Sequence, residues 1–77
     1  MQVSWEQSES FLTRARNAVH ATQEEWAAYM GCSVPTVVRL ERNPGVLSLE
    51  RLARWNAGTN DEGKAHIRRY LAEQFDI

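Results

Sequence analysis

Helix boundaries recur along this chain at short intervals, and they leave room for little except a stack of short helices. A Ser or Thr stands three residues ahead of a Gln or Glu at Ser4–Gln7, Thr22–Glu25 and Thr59–Glu62. That spacing is the capping box, in which each side chain satisfies the other residue's free amide at a helix start. Ser33 and Ser48 precede further apolar-periodic runs and predict two more caps. Pro35 falls in the first turn after Ser33, where its missing amide donor costs nothing. Gly31 and Gly58 end the second and fourth runs.

Between these marks the apolar residues follow helical spacing. Helix 1 is predicted from about Trp5 to His20, with Trp5, Leu12, Ala15 and Val19 on one face and Phe11 and Ala18 beside it. Trp26, Ala27 and Met30 form a short stripe on helix 2, and Val37 and Leu40 face inward on helix 3. Arg42-Asn43-Pro44-Gly45 reads as a turn. Leu49, Leu52 and Trp55 are expected to point inward from helix 4, and Ile67, Tyr70, Leu71 and Phe75 form an apolar stripe at i, i+3, i+4 and i+8 on helix 5. Only "VPTVV" is strand-like, and it is too short to outweigh the caps. The expectation is one all-α domain of five helices over residues 1–77.

Charge narrows the choice of partners by its placement. The net charge is -1, a poor match to a polyanion when taken as a sum. Yet residues 1–30 hold two Arg and four Glu, whereas residues 31–58 hold four Arg and two Glu. The positive excess sits on helices 3 and 4, and distribution governs nucleic-acid binding more than the total. Cys32 is the single cysteine, which favours a reducing compartment. The first residues lack a basic and apolar leader, and no apolar run reaches membrane-spanning length, so a cytoplasmic protein is expected. His20 and His66 have no metal-ligand spacing to one another or to Cys32, so no metal or other cofactor is expected. Glu24 and Glu25 suit a first helical turn as dipole partners, and no catalytic cluster stands out. Arg51 and Arg54 read as solvated, with Glu50–Arg54 a possible i, i+4 pair.

The segment "ATQEEWAAYMGCSVPTVVRLERNPGVLSLERLARW" resembles the Cro/CI-type (XRE-like) helix-turn-helix family of phage and bacterial regulators. Thr22-Gln23-Glu24-Glu25, Ala27, Gly31, Ser33, Thr36-Val37, Leu40-Glu41 and "SLERL" carry the likeness by their order and spacing. It implies a lambda repressor-like fold with a central helix-turn-helix. It implies base contacts from Val34, Pro35, Val38 and Arg39, and phosphate contacts from Thr22, Gln23, Ser33, Thr36, Arg42 and Asn43. It further implies a structural ion pair between Arg16 and Glu41. The chain departs from the family in having His20 or Ala21 where a Gly is usual, and Trp26 where Leu is common.

Physical reasoning supplies a use for these positions. The major groove admits one helix, and its apolar feature is the thymine methyl. Val34, Pro35 and Val38 either read such methyls or only start and pack the helix, and Arg39 can fork onto a guanine. The expected function is a sequence-specific transcriptional regulator, a repressor on a palindromic operator in double-stranded DNA. A homodimer is expected because one such unit makes few contacts, with Ile67, Tyr70, Leu71 and Phe75 either forming its interface or completing the core. The rival reading is a protein–protein module of the same fold without DNA binding.

Overall fold

The computed structural model describes residues 10–75. Among these are five α-helices and no strand: α1 (Phe11–Ala18), α2 (Gln23–Met30), α3 (Val34–Arg42), α4 (Leu49–Gly58) and α5 (Asp61–Phe75). A 3-10 turn, Pro44–Val46, links α3 to α4. None of these helices is long and apolar enough to cross a membrane.

The local signals explain most of these limits. Thr22 and Glu25 form the reciprocal box, with the Thr22 amide donating to Glu25 Oε1 at 2.9 Å and the Glu25 amide to Thr22 Oγ1 at 3.0 Å. Gly31 closes α2 with φ at 73°, a left-handed conformation that costs glycine little. Ser33 accepts from the Thr36 amide at the start of α3, and Ser48 from the Arg51 amide at the start of α4.

Three expectations are corrected. α1 does not run unbroken from Trp5 to His20. Ser10 is extended and its hydroxyl takes the Thr13 amide at 3.3 Å, so Ser10 is itself the cap. The helix stops at Ala18, and His20 adopts a left-handed φ of 59°. The Ser4–Gln7 box and Trp5 lie outside the described residues. The start of α5 is capped by Asn60, whose Oδ1 accepts from the Gly63 amide at 3.0 Å. The Thr59 hydroxyl is turned inward instead, donating to the Ala15 carbonyl at 2.6 Å. Leu49 does not face the core and is 84% exposed. Trp55 lies six positions further along, which places the two about 120° apart around the helix.

The core gathers Leu12, Ala15, Trp26, Ala27, Met30, Val37, Leu40, Trp55 and Ile67. Trp55 is fully buried, and its indole N–H donates to the Leu12 carbonyl at 3.0 Å. Trp26 lies at a tilt to Trp55 and Tyr29, with ring centroids 5.5 and 5.1 Å away. Aromatic pairs in this arrangement add to the burial of their area. α5 lies chiefly against α1, and α2 against α3. α2 and α4 meet closely, because Gly58 has no side chain to strike the Tyr29 ring. A methyl group there would sit 2.6 Å from it.

Candidate nucleic-acid interface

What fixes α3 is a polar knot beneath it. Glu41 is 7% exposed and Arg16 8%. Arg16 Nε donates to Glu41 Oε2 at 2.6 Å and its Nη2 to Oε1 at 3.4 Å. Its Nη1 donates to the Ala21 carbonyl at 2.7 Å. Gln23 Nε2 adds a donor to Glu41 Oε1 at 3.0 Å. The expected Arg16–Glu41 pair therefore forms, and it is wider than expected. One carboxylate ties α1, the α1–α2 turn and the first residue of α2 to the last turn of α3. A buried charge held this way resists any slip of the helix, because a slip leaves it unpaired.

The knot divides α3 into two faces. Val37, Leu40 and Glu41 point inward. Pro35, Arg39 and Arg42 are exposed, and Thr36 and Val38 are half-buried. Glu41 is the only acidic residue of α3, and its carboxylate is turned inside. The outward face thus carries Arg39 and Arg42 with no opposing carboxylate on the same helix. Two arginines in the last turn also complement the helix dipole.

The remaining expected positions have definite places. Val34 is half-buried and packs on the core, so it is less available than Pro35 or Val38. Thr22 Oγ1 and Ser33 Oγ serve as caps, and the Ser33 and Thr36 hydroxyls lie 3.0 Å apart. Gln23 is half-buried and holds Glu41, leaving its second amide hydrogen for another acceptor. Asn43 is exposed at the C-cap of α3. On α5, Ile67 is only 3% exposed and belongs to the core, and Leu71 packs partly against it. The Tyr70 ring stacks on Phe11 with centroids 3.9 Å apart. The Phe75 side chain lies outside the described part.

A second link escaped the sequence reading. Arg54 does not pair with Glu50 or stand free in solvent. Its Nε and Nη2 donate to the Tyr29 carbonyl at 3.0 and 2.8 Å, and the Tyr29 hydroxyl donates to the Arg54 carbonyl at 2.7 Å. Its guanidinium sits 4.6 Å from the centre of the Tyr29 ring. The partners are 25 residues apart, so no helical spacing signals them. This reciprocal clamp joins α2 to α4. No three His, Cys, Asp or Glu side chains gather into a metal-binding group among the described residues. No protein-family model matches the chain, and no curated protein or solved structure is significantly similar to it.

Proposed function

We propose that the chain is a sequence-specific DNA-binding regulator that lays α3 in the major groove. One observation carries this reading: the outward face of α3 bears Pro35, Val38, Arg39 and Arg42, and the only carboxylate of the helix is folded beneath it in a rigid knot. A helix offering positive charge and small apolar groups, and held in one orientation, suits phosphate walls around a floor of base edges. Arg39 forks onto a guanine, while Pro35 and Val38 touch thymine methyls. Arg42 and Asn43 at the end of α3, and Gln23 at the start of α2, meet phosphates. Val34, Ser33, Thr36 and Thr22 act mainly by shaping the two helix starts. The protein acts as a repressor, and as a dimer its half-sites lie about 34 Å apart on one side of the duplex.

The test is selection from random duplexes, followed by binding at two salt concentrations. A selected half-site and an affinity that falls with salt are expected. Arg39→Ala then costs about 1–3 kcal/mol and relaxes preference at one base pair per half-site. Replacing thymine by uracil weakens binding at a neighbouring position, since only the methyl is lost. No duplex binding at low salt, or no selected sequence together with an unchanged affinity for Arg39→Ala, overturns the reading and leaves the protein–protein module.

A further inference from the structure

A hollow of about 360 Å³ opens between α1 and α5, and no residue of α3 lines it. From α5 come His66, Arg69, Tyr70 and Glu73, spaced i, i+3, i+4 and i+7 on one helical face. From α1 come Phe11 and Arg14, with the cap Ser10 beside them. The Phe11 and Tyr70 rings, stacked with centroids 3.9 Å apart, are part of this lining. One carboxylate, Glu73, thus stands against two guanidiniums and an imidazole. Arg69, His66 and the Tyr70 hydroxyl have no hydrogen-bond or ion-pair partner among the described residues.

These groups select a ligand by charge and by shape. A guanidinium is a flat fork of donors, and two of them on different helices offer more directions than one planar carboxylate can use. A phosphate, with three acceptor oxygens and up to two charges, accepts from both. The stacked rings add a flat apolar wall on which a further ring can lie. A concave hollow of this volume is within the range that small ligands fill.

We propose that this hollow binds a small organic phosphate carrying a planar ring, the chemistry of a nucleoside monophosphate. Arg14 and Arg69 hold the phosphate from the two helices, and His66 adds a donor between them and the Tyr70 hydroxyl. The Phe11–Tyr70 pair carries the ring. Glu73 opposes the phosphate and limits its affinity. The inference does not rest on the DNA-binding reading, because no residue given a DNA contact there takes part.

Titration of the full chain with adenosine monophosphate, followed by calorimetry and by amide NMR shifts, tests it. Binding is expected, with the moved amides in α1 and in α5. Adenosine alone and inorganic phosphate alone should each bind about tenfold more weakly or less, since each lacks half of the contacts. Arg69→Ala should weaken binding about tenfold, and Arg69→Lys should recover part of it. Circular dichroism of both variants should match the parent, since Arg69 is exposed. Glu73→Gln should tighten binding about two- to fivefold, a gain that a damaged fold does not produce. No binding at millimolar nucleotide, binding that adenosine or inorganic phosphate equals, or binding that Arg69→Ala and Glu73→Gln both leave unchanged overturns the proposal. So does a mixed-sequence duplex that moves the same amides without the nucleotide, because the phosphate then belongs to a strand and not to a small molecule.

Discussion

The joint beneath α3 and the joint between α4 and α5 are built on opposite plans. Under α3, Arg16, Glu41 and Gln23 bury polar groups that satisfy one another. Between α4 and α5, apolar side chains line an open groove, and one of them, Leu49, is almost fully exposed. A buried polar knot accepts one arrangement, because any other leaves a charge unpaired. An apolar groove has no such demand and remains able to receive a second surface. The first plan holds a helix in one orientation; the second leaves a face to be covered.

The largest expected effect breaks the first joint. Glu41→Ala strands the Arg16 guanidinium and should cost about 3–5 kcal/mol in chemical denaturation. Glu24→Ala, at an exposed first-turn position, should stay within about 0.5 kcal/mol. Equal small losses in both would mean the knot does not hold α3.

Next comes Gly58→Ala, which forces a methyl against the Tyr29 ring and strains the contact of α2 with α4. A loss of about 1–3 kcal/mol is expected, as for overpacking elsewhere. Urea midpoints compared with Gly45→Ala, where the nearest atom is the Asn43 side chain 3.6 Å away, separate crowding from the generic effect of replacing glycine. If the two variants shift alike, the close approach is not what Gly58 serves.

A gain is expected at the edge of the first joint. His20 holds a left-handed φ of 59°, and glycine adopts that conformation without the strain of a Cβ atom. His20→Gly should raise stability by up to about 1 kcal/mol, the freedom gained in the unfolded chain offsetting part of the relief. A lower melting temperature would show that the imidazole contributes more than the turn costs it.

The smallest effect belongs to the second joint. Leu49→Ser should change the stability of the monomer by less than about 0.5 kcal/mol, since the side chain is already in water. Measured in dilute solution beside Glu41→Ala, it gives the sharpest form of the contrast. A large loss in the monomer would show that Leu49 is held by its own chain.

The legible parts of the fold are those written at short range. The Thr22–Glu25 box, the Ser33 and Ser48 caps and the Gly31 stop span three residues or fewer, and each forms as its sequence predicts. The inward position expected for Leu49 fails for a geometric reason. A repeat of three residues drifts around a helix of 3.6 residues per turn, so Leu49, Leu52 and Trp55 cannot share one face. Thr59 satisfied the spacing of a box, yet a carbonyl 44 residues earlier claims its hydroxyl. At the candidate interface, Val37 and Leu40 could be assigned inward from periodicity, and Arg16–Glu41 only from resemblance. The Arg54–Tyr29 clamp left no trace, because nothing local distinguishes an arginine that will meet a distant carbonyl from one that will not.

The shortness of α1 bears on how the chain reaches this state. An eight-residue helix does not persist by itself in water. The carbonyls of Leu12, Ala15 and Ala18 are taken by Trp55, Thr59 and Asn60, at separations of 43, 44 and 42 residues. α1 is therefore completed by residues more than forty positions further along the chain. Completing these bonds requires the α4–α5 junction to be in place. Hydrogen exchange should show amides in α1 and around that junction opening together, with the free energy of global unfolding.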